Sequence, residues 1–213
     1  MGTRRALEGF PFNRKRFVKS MDSRKFLQRI FDGYVNCYRQ FNWHASSNYA
    51  DMTAVELNFF ADLGQRLGYF VGREMHWDYP RDLCWCEEPP GRDRKQTKYV
   101  LYLERENEDG RVLENTVNKM LNPANAPGVP YLVAVLGWVK PGTLEKAKAL
   151  IRERLPSDQS FLLISWVGES KNGEFFVEGW LAPSGGFAET ARSAAAEPDA
   201  GGYWSMRSTS AWT

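Results

Sequence analysis

The chain has 213 residues, enough to bury one sizeable core and still carry a tail. Hydrophobic residues make up 43% and charged residues 25%, an ordinary balance for a soluble globular protein. The formal net charge of +2 excludes a polycation that grips its partner by bulk charge alone.

The charge is nevertheless uneven. Before residue 30 stand Arg4, Arg5, Arg14, Lys15, Arg16, Lys19, Arg24, Lys25 and Arg29, opposed by Glu8 and Asp22. Such a run is either an arm that sits on phosphates or a solvated, frayed terminus. Residues 1–20 read as a basic N-terminal extension. It has charge but no apolar centre or small-residue cleavage site, so a secretory signal is not expected. No apolar run reaches the length of a membrane span, so no membrane partner is expected. Cys37, Cys84 and Cys86 are odd in number and lack the spaced pairs of a disulfide framework. With His44 and His76 they make a poor zinc set. Free thiols fit a reducing compartment, and a cytoplasmic location is the expectation.

From Ser23 the pattern becomes helical. Phe26, Leu27, Ile30, Phe31, Tyr34, Val35, Tyr38 and Phe41 recur on one face, an aromatic stripe suited to a core. Residues 42–51 read as a polar loop. A second helix is expected near Thr53, because Thr53-x-x-Glu56 matches a capping box, and Gly68 is its natural stop. Tyr69–Glu74 reads as a strand, interrupted by Tyr79-Pro80. A short strand, Asp82–Cys86, follows. The polar loop 87–98 joins it to the strand Tyr99–Asn107, so the two should form a hairpin. Asn107–Gly110 is a turn. Val112–Leu121 is a helix, and Tyr131–Trp138 is an apolar run typical of a strand buried on both faces. Leu144–Leu155 is a helix. The strands Phe161–Trp166 and Phe175–Trp180 flank the turn Lys171-Asn172-Gly173. From residue 183 to 213 the composition falls to Gly, Ala, Ser and scattered charge, which predicts a tail without stable structure; Tyr203, Trp204 and Trp212 are its exceptions. The expected fold is one α/β domain over residues 21–182, a mixed central sheet flanked by helices.

The strand Tyr99–Asn107 starts apolar and ends in Glu104-Arg105-Glu106. Side chains alternate along a strand, so the two glutamates share a face. Paired carboxylates repel unless a cation lies between them, and hard cations take oxygen ligands. A third acidic residue, Asp82, opens the preceding strand. The bland alternative is a solvated rim before a turn.

Taken in order, these pieces resemble the PD-(D/E)xK, or restriction-endonuclease-like, nuclease superfamily. Pro80-Arg81-Asp82 stands near the PD position with one residue inserted. Glu104-Arg105-Glu106 stands at the (D/E)xK position, with Glu in place of the usual Lys. A closer resemblance is to an uncharacterised microbial group within it, whose strand ends in an "EhEN"-type motif. Asp82-Leu83-Cys84-Trp85, Glu104–Asn107, Lys119-Met120-Leu121 and Tyr131–Trp138 carry that likeness, over about residues 53–140.

The resemblance implies Mg²⁺- or Mn²⁺-dependent hydrolysis of phosphodiester bonds in nucleic acid, with DNA the expected partner. Asp82, Glu104 and the Arg105 backbone carbonyl would hold metal. Glu106 would hold a second ion or orient the attacking water. Lys119 would supply the charge that the motif lysine normally gives. Glu56 is either an additional ligand or only half of the capping box. Glu74 is either a site residue or a strand-edge charge. The basic loop Arg92–Lys98 could track a phosphate backbone. Trp77, Tyr79 and Trp85 either stack bases or pack the core. His44 and His76 have no partner in sequence and are assigned no role. Enzymes of this class that cut both strands often act as homodimers. The rival function is a nucleic-acid-binding or regulatory protein that keeps the fold without catalysis.

Overall fold

A computed structural model describes residues 22–73, 82–89, 97–106, 111–122, 128–168 and 175–213. Among these described residues, four helices and one mixed sheet make up an α/β fold. Helix α1 is Ser23–Cys37, extended by a 3₁₀ turn, Tyr38–Phe41. Helix α2 is Tyr49–Arg66. Strands β1 (Phe70–Arg73), β2 (Leu83–Cys86) and β3 (Tyr99–Glu106) follow. Then come α3 (Arg111–Leu121), β4 (Tyr131–Val139), α4 (Pro141–Arg154) and β5 (Ser160–Val167). Strands β6 (Phe175–Ala182), β7 (Thr190–Pro198) and β8 (Trp204–Ser208) complete the sheet.

All eight strands lie in chain order, each hydrogen-bonded to its sequence neighbour. The pairs β1–β2 and β2–β3 are antiparallel, so the expected hairpin forms. The pairs β3–β4 and β4–β5 are parallel, joined by α3 and α4. Two successive right-handed crossovers stepping the same way put both helices on one face. That face is filled by Val117, Met120, Leu144 and Ile151 against Tyr102, Leu132, Ala134 and Leu163. Helices α1 and α2 cover the other face, with Phe31, Tyr34, Met52 and Phe60 against Leu101, Leu103, Val133 and Ile164. Strand β4 is buried on both faces, as its unbroken apolar run predicts.

Local chemistry sets the helix ends. The Asp22 carboxylate accepts the Arg24 N–H at 3.0 Å and starts α1. Helix α2 begins earlier than expected. Asn48 is its cap, accepting the Asp51 N–H at 2.9 Å, and Thr53 lies inside the helix. The loop therefore ends before residue 49, and Glu56 is not a capping-box residue. The C-terminus of α2 agrees with expectation. Gly68 sits at φ +86°, and the bonds Gly68 N–H to Gln65 O and Tyr69 N–H to Gly64 O close a Schellman turn. Within α2, Gly64 allows the helix to lie directly on Trp85, whose Nε1 would be 2.5 Å from an added Cβ. Trp85 then donates to the Phe60 carbonyl at 3.1 Å.

The expectation of an unstructured tail after residue 182 is wrong. Strand β7 pairs with β6 from Thr190 to Ala196, and β8 pairs with β7. The alanines are small because large neighbours already fill the space. Ala194 lies opposite Val177, and both are buried in the α1-side core. Trp204 stacks on Trp43 with ring centroids 5.7 Å apart. Trp212 packs edge-on against Phe31 and donates to Asp32. The domain thus runs on to the last residue. The basic extension, residues 1–20, lies outside the described residues. No helix among the described residues is long and apolar enough to cross a membrane.

Candidate functional site

The end of β3 is a junction of polar side chains in an otherwise apolar sheet. Strand alternation sends Tyr102, Glu104 and Glu106 towards α3, and Leu103 and Arg105 towards α2. Glu104 is nearly sealed off: its side chain is 2% exposed, and its Oε2 accepts from Lys119 Nζ at 2.9 Å. Glu106 is half-buried, and its Oε1 accepts from the Thr116 hydroxyl at 2.6 Å. Thr116 and Lys119 are three residues apart on α3, so they share a helical face and reach two successive carboxylates on one strand face.

Asp82 stands immediately before β2. The ladder pairs Leu83 with Leu103, so one further step places Asp82 across from Glu104 and on the same face. Its Oδ2 accepts the Arg105 backbone N–H at 2.7 Å. The structure therefore brings four sequence-selected residues, Asp82, Glu104, Glu106 and Lys119, to one end of one face. The fifth group, the Arg105 carbonyl, lies at the same strand end, where Arg105 pairs with Val135 of β4. These four side chains comprise three carboxylates and one ammonium, a hard-oxygen donor set with surplus negative charge. That donor chemistry fits a small divalent cation. Each carboxylate nevertheless already holds a donor from the protein. Among the described residues, no three His, Cys, Asp or Glu side chains converge closely enough to hold a metal ion.

The Arg105 side chain crosses to the α2 face. Its Nε donates to Glu56 Oε2 at 2.6 Å, with side-chain exposures of 0% for Arg105 and 1% for Glu56. Its Nη1 donates to the Glu106 carbonyl at 2.7 Å. Glu56 Oε1 accepts the Tyr34 hydroxyl and, at 3.5 Å, the Tyr38 hydroxyl. Tyr34 in turn accepts from Trp166 Nε1 on β5 at 3.1 Å. Burial, reinforced by the Glu56 charge, pushes the Tyr34 phenol well above its ordinary pKa. Burial and then the neighbouring Tyr34 do the same for Tyr38. Both therefore remain protonated donors.

Glu56 is thus not an additional ligand beside Glu104. It meets β3 from the opposite face, and Arg105 and Tyr34 engage both its oxygens. Trp85 is fully buried under α2 and stacks on Tyr69, so it packs the core and is closed to bases. His44 lies away from this site, its Nδ1 2.7 Å from Ser46 Oγ and its ring edge-on to Tyr203. Cys84 and Cys86 are buried, with sulfurs 3.8 Å apart. The hydrogen bond between them, and then burial, push the Cys86 thiol far up, which keeps it from acting as a nucleophile. Glu74, His76, Trp77, Tyr79, residues 92–96 and Asn107 lie outside the described residues. Lys98, at the end of the basic loop, is exposed, with Glu87 and Glu88 each 4.0 Å away.

Sequence reasoning missed Thr116 and the Tyr34–Glu56–Arg105 chain. Thr116-x-x-Lys119, one turn apart on the helix after a Glu-x-Glu strand, is a readable signal for the first. Tyr34 and Tyr38 sit in an aromatic stripe, and nothing in the spacing marks their hydroxyls as donors.

No protein-family model matches this chain, and no curated protein does. Among solved structures, the central domain of yeast acetyl-CoA carboxylase is similar over 70% of this chain, at 10% identity and a TM-score of 0.39. The likeness spans 25% of that protein's chain and is too loose to carry fold or function across.

Proposed function

We propose that the protein is a Mg²⁺- or Mn²⁺-dependent nuclease of the restriction-endonuclease-like class, hydrolysing phosphodiester bonds in nucleic acid, with DNA as the first substrate to test. One observation carries the reading: Asp82 falls across from Glu104 on one sheet face, with Lys119 Nζ 2.9 Å from that glutamate. Had Asp82 and Glu104 faced opposite ways, the reading would have no support. The contiguous order of the Asp82-led strand, the Glu-x-Glu strand, the lysine-bearing helix and the apolar strand adds to it.

Asp82 and Glu104 would hold the cation, with the Arg105 carbonyl as a further donor. When bound, such an ion lowers the pKa of its water and neutralises charge building on phosphate. The chain's own groups do the rest. Thr116 fixes the Glu106 carboxylate in one orientation, as is needed to hold a second ion or to aim a water. Lys119 keeps a positive charge beside Glu104 where an anionic substrate would come to lie.

The test is cleavage of supercoiled plasmid and single-stranded DNA with Mg²⁺ or Mn²⁺, wild type against Glu104→Ala. Metal-dependent nicking lost in the variant is the expected result. Equal cleavage by both proteins would overturn the assignment of the site. The second reading is a non-cutting nucleic-acid-binding or regulatory protein. It is favoured by the donors that each carboxylate already has and by the absence of a three-carboxylate cluster among the described residues. Such a protein would bind nucleic acid with salt-sensitive affinity, indifferent to metal and to Glu104→Ala.

A further inference from the structure

We propose that Arg105, the residue between the two glutamates, is a positioning residue that sets the carboxylate end of β3 from the opposite face of the sheet. For what those carboxylates hold, the proposal rests on the metal-dependent reading above. Arg105 is tied at three points. Its backbone N–H holds the Asp82 carboxylate. Its Nη1 holds the Glu106 carbonyl, and so orients the peptide that follows the second glutamate. Its Nε is anchored on Glu56. Glu56 is itself fixed by Tyr34, and Tyr34 by Trp166, so the anchor reaches α1, α2 and β5.

Stability alone does not account for this arrangement. A carboxylate and a guanidinium buried to 1% and 0% are costly to desolvate, and an apolar pair of similar volume would hold α2 on β3 at least as well. What an apolar pair lacks is a directed bond to the Glu106 carbonyl. A planar fork meets a carboxylate and a carbonyl at once, which an ammonium on a flexible stem does not do. The β2-side ladder ends at Leu83–Leu103, so beyond it β3 is held in the sheet on its β4 edge alone, and a second tie fixes the tilt of its last peptides.

The test uses the full chain with two variants, Glu56→Gln/Arg105→Met, which removes both charges, and Arg105→Lys, which keeps the charge but loses the fork. Residue-resolved amide exchange is read with and without Mn²⁺, and Mn²⁺ binding is followed by electron paramagnetic resonance. We expect exchange at residues 104–106 to quicken about tenfold or more in both variants, while Leu162 and Ile164 of β5, which pair with β4 and β6 and not with β3, stay near wild type. Mn²⁺ affinity should fall about 10- to 100-fold. Uniform quickening, unchanged exchange, or Mn²⁺ affinity kept at the wild-type value would overturn the proposal. So would failure of both variants to fold, which would make the pair purely structural. If wild type binds no Mn²⁺, the metal reading falls and the exchange pattern alone decides the role of Arg105.

Discussion

Arg105→Met alone should be among the most destabilising substitutions in this protein. It deletes the guanidinium and leaves the Glu56 carboxylate at 1% exposure, without the cation 2.6 Å away. Breaking a buried pair by removing one partner costs about 3–5 kcal/mol, because the surviving charge stays desolvated. The Tyr34 and Tyr38 hydroxyls still donate to Glu56, which places the expected loss towards the lower end. Total stability for a domain is about 5–15 kcal/mol, so this is a large share. For a chain of this length each kcal/mol shifts Tm by about 2–4 °C, giving a fall of about 6–20 °C.

Glu56→Gln/Arg105→Met removes both charges together and should recover most of the loss, to within about 1–2 kcal/mol of wild type. The two sites are in contact, so the cycle should show coupling of about 2 kcal/mol or more. Urea unfolding followed by far-ultraviolet circular dichroism on wild type, both single variants and the double variant measures it. If Arg105→Met costs under about 1 kcal/mol, or the double variant costs the sum of the singles, the buried-pair reasoning fails.

Lys119→Met should cost about 1–3 kcal/mol by taking the ammonium from the buried Glu104 carboxylate. Mn²⁺ should then raise the variant's Tm more than that of wild type, and a thermal shift identical in both would count against a shared cation position. On the alkaline side, Tyr34 and Tyr38 keep their protons in the folded state, first because of burial. The unfolded chain releases them near pH about 10, so stability is fully present below that pH and falls as the pH rises past it. A pH series of urea midpoints should show the decline, with a shallower slope in Tyr34→Phe. Truncation after Pro183 should abolish cooperative unfolding. It removes the β7 and β8 ladders and Trp204, whose burial alone is worth about 3–5 kcal/mol. A sharp melt in the truncated chain would contradict this.

The helices and central strands were legible because their burial is periodic. The stripe from Phe26 to Tyr38 and the unbroken run Tyr131–Trp138 each state their own period, and Gly68 states its own left-handed turn. Strands β7 and β8 were not legible, for a reason that follows from packing. A strand facing large side chains is itself made of small ones, so Ala194 and Ala196 carry little hydrophobic signal although both are buried. Their core is contributed from elsewhere, by Phe31, Val177 and Trp43, and only tertiary pairing reveals it. The start of α2 was missed for a local reason. Two capping signals lie five residues apart, and the chain uses Asn48 in place of Thr53.

The site divides along the same line. Glu104 and Glu106 share a face because a strand has period two, and Lys119 reaches Glu104 because a helix brings a residue back every few positions. Both rules act within an element and can be read from spacing. Glu56 and Arg105 meet across 49 positions of sequence. No local period links them, and a local motif even supplied a wrong account of Glu56. The residue between two acidic positions looks like a spacer in the sequence, since it faces away from them. Facing away is what allows its side chain to act: from the far side the guanidinium ties Glu56 to the Glu106 carbonyl, while the backbone N–H, in the plane of the sheet, holds Asp82, leaving the near side to the carboxylates.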